Sequence, residues 1–213
     1  MPNATIEGHD CTLFYDYDCY QNGVLKKLSP TGKINWLQCR MNMIFLDPMK
    51  ILTDRQSDVF KALEHPDRPS TAMLMVVSLL LNGIEALGSF LTENDDALPN
   101  KNYLRFSAFV NKYLAPDWTT NVTTKQHGTK PLSDILWKSY RNGLAHSFAI
   151  LNAGIEDDKN GATHHFNSDV IQIDAWRLFA DLQKAIVTMF NDVRNDLNVN
   201  KKFLSRFDKV YKC

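Results

Sequence analysis

Residues 72–91 read AMLMVVSLLLNGIEALGSFL, the most apolar run of the chain. Twenty such residues are long enough to cross a bilayer as a helix. Asn82 and Glu85 stand in the middle of the run, however, and an acid at mid-bilayer depth is expensive. Neither an aromatic belt nor a Lys/Arg flank supports insertion. The run is therefore expected to be a buried core helix, capped by Ser70 and reaching about Thr92. A helix apolar on most of its faces must be covered by other elements, so the fold is expected to be built around it.

Toward the N-terminus, His65-Pro66-Asp67-Arg68-Pro69 stops a preceding helix. That helix is expected to open at Asp47 as N-cap with Pro48 at its first position, and to run to about Glu64. Helical signals begin at Ile34. Ser29-Pro30-Thr31-Gly32 and Asn22-Gly23 read as breaks, and residues 12–18, TLFYDYD, are β-prone. Residues 1–47 are thus expected to be an irregular or weakly stranded extension, and residues 48–213 a helical domain.

Toward the C-terminus, residues 94–100 read as a loop. Phe106, Phe109, Val110, Tyr113 and Leu114 repeat at helical spacing, and residues 115–130 read as a polar loop. Pro131 opens a helix with Leu132, Ile135, Leu136 and Tyr140 on one face. Residues 148–155 and 169–173 look like short strands about the turn Asp157-Asp158-Lys159-Asn160-Gly161, which predicts a hairpin. Asp174 then caps a final amphipathic helix through Leu178, Phe179, Leu182, Ile186, Met189, Phe190 and Val193. It breaks near Asn198 and resumes over 201–211. The predicted fold is mostly α: a helical bundle with a small β-hairpin insertion within 148–173.

Composition allows this. The chain has 213 residues, 44% hydrophobic and 23% charged, which suffices for one domain with an extension. Lys plus Arg equals Asp plus Glu at 24 each, so net charge names no partner. The distribution is more informative. Residues 101–141 carry seven bases against Asp117 and Asp134, and residues 194–213 carry six against Asp196 and Asp208. Two basic stretches in a neutral chain are either solvated helix faces or parts of an anion-binding surface. The cysteines, at 11, 19, 39 and 213, form no C-x-x-C pair and match no common zinc spacing. With a polar opening that lacks a signal-peptide core, they predict reduced thiols and a cytoplasmic protein. The N-x-T sequons at Asn3 and Asn121 are then chance matches.

The segment that carries chemistry is Tyr140-Arg141-Asn142-Gly143-Leu144-Ala145-His146-Ser147-Phe148. Arginine offers a permanently charged planar fork suited to phosphate, and histidine exchanges a proton near neutral pH. Asn142 can orient the histidine or a substrate oxygen. Such a set is sufficient to cleave RNA through its own 2′-hydroxyl, with His146 taking the proton and Arg141 holding the phosphate; no metal or cofactor is needed. Five residues of ideal helix place Arg141 and His146 about 140° apart. They converge only if the helix ends or bends, for which Gly143 is suited, or if a second subunit completes the site. An Arg and a His at this spacing also occur in helices that have no active site.

The segment resembles the signature of the HEPN superfamily, R-x4-6-H with a polar residue directly after the arginine. Here that is Arg141-Asn142 and His146, with the apolar Leu144-Ala145 before the histidine. The resemblance covers about ten residues strictly and residues 70–213 loosely. It implies an all-α bundle, a homodimer with the motifs facing each other across a cleft, and metal-independent cleavage of single-stranded or loop RNA. Members act in toxin–antitoxin or phage-defence systems, which implies an antitoxin or regulatory partner and no membrane. Some members are non-catalytic modules that bind RNA, a nucleotide or a protein. A control route using a tyrosine two places after the histidine is absent, since Phe148 stands there. Gly143, Ala145 and Ser147 are small enough to let a two-fold partner approach. Glu85 is a candidate partner of Arg141, either as a supporting acid/base group or as an ion pair that merely compensates burial. His164-His165 is a weaker metal candidate, and Asp16 with Asp18 a weaker carboxylate pair.

Overall fold

The computed structural model describes residues 5–7, 9–10, 28–63, 71–92, 97–147, 150, 153–156, 162–167 and 170–211. The expected features at 12–18, 22–23, 65–70 and 157–161 lie outside these residues. Among the described residues the chain is mostly helical with three small sheets.

Two short strands, β1 (Thr5–Ile6) and β2 (His9–Asp10), pair antiparallel. Helix α1 (Pro30–Met41) follows, and its start corrects the expected break at 29–32. The Ser29 hydroxyl accepts from Gly32 N at 2.9 Å and Pro30 occupies the first turn, where its missing N–H is no loss. The helix does not stop at Met41. It passes through a π-helical turn, Asn42–Leu46, into α2 (Asp47–Thr53). Asp47 and Pro48 therefore lie within one helical run and do not open a helix. Residues 30–47 belong to the helical body, which corrects the boundary drawn at 47/48. In the π turn the Asp47 N–H reaches back to Asn42 O, and the wider turn accommodates the proline that follows. A short helix, α3 (Asp58–Leu63), completes this half.

The apolar run forms α4 (Thr71–Gly88). Val76, Val77, Leu80, Leu81 and Ile84 are wholly buried. No helix among the described residues is long and apolar enough to cross a membrane. Helix α4 packs on α5 (Lys101–Tyr113), and the two backbones nearly touch. A Cβ on Gly88 would stand 1.8 Å from the carbonyl oxygen of Arg105. No side chain fits there, so glycine sets the crossing of these helices.

Residues 115–130 are not a polar loop. A 3-10 turn (Pro116–Thr119) buries Trp118, whose Nε1 donates to the Asp181 carboxylate at 3.0 Å. Strands β3 (Asn121–Thr124) and β4 (Gly128–Pro131) form a hairpin in which Val122 and Thr124 turn inward. Alternation is obscured because three of the four β3 residues are polar, two of them threonines. Gly128 takes a left-handed φ of 62° at the end of the turn.

From Leu132 the chain is again helical: α6 (Leu132–Ile135), a second π turn (Leu136–Arg141) and α7 (Asn142–Ser147). The predicted hairpin of 148–173 is replaced by a three-stranded sheet of β5 (Ala153–Glu156), β6 (His164–Asn167) and β7 (Val170–Asp174). Strand β7 lies in the centre, parallel to β5 and antiparallel to β6. The hairpin thus joins β6 to β7, while the two strands expected to form it run side by side in the same direction. Asp174 caps α8 (Ala175–Asn195), accepting from Arg177 N at 2.9 Å, and all seven residues of its predicted apolar stripe are buried. Asp196 caps α9 (Leu197–Val210), so the break falls two residues before Asn198.

Cys39 stands in a disulfide, where reduced thiols were expected. The other three cysteines lie outside the described residues. Residue spacing alone says nothing of which thiols the fold brings together, and the bond removes the thiol argument for a reducing compartment.

Candidate functional site

Arg141 closes the second π turn, and that turn, with α6 before it, is held from several sides. Tyr140 is fully buried, and its hydroxyl donates to Gly154 O at 2.6 Å and Ile171 O at 3.3 Å, fastening the turn to β5 and β7. Burial raises the Tyr140 pKa above the ordinary phenol value, so the group stays a donor. The Tyr103 hydroxyl of α5 donates to Asp134 at 2.6 Å, and that hydrogen bond pushes its pKa up to about 12. On the hairpin side, Ser139 Oγ and His127 Nε2 lie 3.1 Å apart.

So held, Arg141 faces α4. Its Nε and Nη2 donate to Glu85 Oε2 at 2.9 and 2.6 Å, and both side chains are mostly shielded from water. Nη1 reaches Asn142 Oδ1 at 3.4 Å, and the guanidinium lies 4.8 Å from the Trp137 ring centroid. The pair borders a cavity of about 410 Å³. Arg105 of α5 and Arg206 of α9 line it as well, with Asn82, Ser89, Phe90 and Tyr211. Neither Arg105 nor Arg206 was singled out from the sequence. Each belongs to one of the two basic stretches, which is the signal that pointed to them.

The helix runs unbroken from Arg141 through α7 to His146. Gly143 does not end it, so the chain does not converge on itself by a helix stop at that glycine. Gly143 is also buried within the single chain, so it does not offer a surface for a two-fold partner to meet. Arg141, Asn142 and Glu85 are brought together, whereas His146 is set five residues further along the same helix.

The weaker candidates separate. His164 Nδ1 lies 3.1 Å from the Thr163 hydroxyl, and burial lowers its pKa against the opposing pull of Asp117. Among the described residues no group of three or more His, Cys, Asp or Glu side chains is placed to hold a metal. Asp16 and Asp18 lie outside the described residues. The sequence did not single out Asp181 either: buried on α8, it accepts from Trp118 Nε1 and from Arg177 Nε at 2.6 Å, a compensated charge that locks the 3-10 turn to the core. Compared with family models, with curated proteins and with solved structures, the chain matches none.

Proposed function

We propose that this chain is a HEPN-type endoribonuclease that cuts single-stranded or loop RNA without a metal, using Arg141, Asn142 and His146. The observation that carries the reading is the position of Arg141, the arginine of the motif, at the edge of an arginine-lined cavity. Guanidinium forks match phosphate oxygens in charge and geometry. The 2′-hydroxyl attacks the adjacent phosphorus as His146 takes its proton, and the bond to the 5′ oxygen breaks. The products are a 2′,3′-cyclic phosphate and a 5′-hydroxyl that receives a proton on leaving. Arg141 offsets charge on the phosphate oxygens, and unstacked RNA supplies the backbone freedom that in-line attack needs. As the resemblance to the HEPN signature implies, a second copy of the chain brings a histidine to the arginine. A homodimer is therefore part of this reading.

Purified protein is incubated with RNA in EDTA. Arg141→Ala and His146→Ala should each lower cleavage by about 10²-fold or more, with unchanged circular dichroism. Folded His146→Ala protein that cuts like the parent, 5′-phosphate products, or a strict need for Mg²⁺ ends the catalytic reading. A second reading, a non-catalytic RNA- or nucleotide-binding module, is favoured by the engagement of Arg141 with Glu85. Binding without cleavage would select it.

A further inference from the structure

We propose that the exposed face of α4 carrying Met75, Leu79, Asn82 and Ala86 is the seat of a second copy of this chain, with a two-fold axis beside Asn82. This rests on the reading above, in which a partner brings a histidine to Arg141, and it names where that partner sits.

Helix α4 is buried on every side but one. On that side Met75 and Leu79 are 43% and 42% exposed, and Asn82 and Ala86 are exposed as well. Steps of four, three and four residues put these side chains within about 60° of arc, along roughly 16 Å of helix. That is the spacing of a helix–helix seam. One flank of the stripe, about 60–100° to its side, carries Leu74, Ser78 and Glu85. The same flank meets the motif. Leu144 of α7 shares a hollow of about 340 Å³ with Leu74, Met75, Ser78 and Leu79, and Glu85 holds Arg141. Asn82 and Ala86 also border the cavity beside Arg141. A body laid on the stripe therefore lies alongside the helical run that carries Arg141 and His146.

The chemistry of the stripe selects its occupant. A two-fold axis sets a surface against its own copy, so a charge near the axis meets a like charge. Residues 71–84 carry no charge, and Glu85, which follows, is engaged with Arg141. A strongly charged partner would find no counter-charge here. Asn82 supplies the self-complementarity, because an amide both donates and accepts and two copies can exchange a pair of hydrogen bonds across an axis. Its Nδ2 gives one hydrogen to Ser78 O at 2.8 Å, which orients the side chain and leaves the second hydrogen and Oδ1 for the partner. A lone asparagine in an apolar seam fixes register. With the axis at Asn82 and the two helices antiparallel, Leu79, three residues before it, faces the partner's Ala86, four residues after it. Large then packs against small on both sides of the axis.

The test follows the association of the full chain by light scattering over a dilution series. The parent should have twice the chain mass. Leu79→Lys changes an exposed residue, so circular dichroism should be kept while the dissociation constant of the dimer rises about 10²-fold or more. Adding Ala86→Glu to Leu79→Lys should restore association, since each lysine then faces the partner's glutamate. Asn82→Cys, at the axis, should form a disulfide-linked dimer on oxidation, whereas Val187→Cys on the exposed side of α8 should not. A monomeric parent overturns the proposal. So does a Leu79→Lys protein that associates within about threefold of the parent, or an Asn82→Cys protein that crosslinks no better than Val187→Cys. A monomeric parent that sediments with phosphatidylcholine vesicles, and no longer does so as Leu79→Lys, gives the face to a lipid surface instead. Should Leu79→Lys fail to fold, the two cysteine variants decide. A parent that dimerises through this face and cuts no RNA leaves the seat standing and ends the catalytic reading alone. A monomeric Leu79→Lys protein that cuts at the parent's rate also leaves the seat standing, and ends the supply of the histidine by the partner.

Discussion

Tyr103 shows how a single proton supports the site. Its hydroxyl donates to Asp134, and the folded protein holds that proton up to about pH 12 against an ordinary value of 10.0. A raised folded pKa on an acid means that the stabilisation is fully present below pH 10 and is lost as pH climbs toward 12. Tyr103→Phe should therefore be less stable than the parent at neutral pH, and the difference should shrink between pH 10 and 12. Urea melts of both proteins across that range measure it; a difference that stays constant with pH would show that the hydrogen bond is not the source. The same scale shows what the sequence could tell. Arg141, Asn142 and His146 stood out because neighbours in sequence spell a motif, and of these the fold sets Arg141 and Asn142 beside Glu85. Arg105 and Arg206 were not, because charge density marks a stretch without saying which of its bases turns inward. Arg206 lies between Phe203 and Phe207, two wholly buried rings, and only the packing of α9 settles which way it faces.

At the scale of elements, the α4–α5 crossing carries a specific demand. Gly88→Ala would drive a methyl into the Arg105 carbonyl, which stands 1.8 Å from the ideal Cβ position. Overpacking of this kind costs about 3 kcal/mol, because the atom in the way is backbone and cannot turn aside. Denaturant melts should show that loss. A variant as stable as the parent would mean that the helices separate freely. Helices α4, α5 and α8 were legible from apolar spacing, since burial alone selects their faces. Strands were less so. The β3–β4 hairpin hides in polar threonines, and the β5–β7 pairing is parallel, a long-range choice that no local turn announces. Proline misled at Pro48, where a π turn absorbs it within a continuing helix.

For the whole molecule, the covalent link at Cys39 is the feature that spacing did not reveal. Four cysteines less the two in one bond leave no more than two free thiols. Thiol titration of the denatured, unreduced protein should count no more than two, rising to four on reduction. Reduction should lower stability by about 2–4 kcal/mol. Four reactive thiols before reduction would show the bond to be absent and would restore the argument for a reducing compartment.

The second π turn has a consequence for how such a chain tolerates gain and loss of residues. A π turn carries one surplus residue relative to the α-helix around it. Lys138, exposed within Leu136–Arg141, is free to be that residue. Removing its codon would let the turn settle into a regular α-helix, with the flanking faces nearly in place and the side chains within the turn, Arg141 included, re-aimed. Tyr140 anchors the later side to Gly154 and Ile171, so the strain falls on Arg141 and its aim at Glu85. The deleted chain should keep its helical circular dichroism and lose the RNA cleavage that the proposed function expects; unchanged cleavage would show that the surplus residue has no part in aiming the arginine. The letters from the arginine to the histidine would be untouched, so a descendant could spell the motif in full and no longer possess the site.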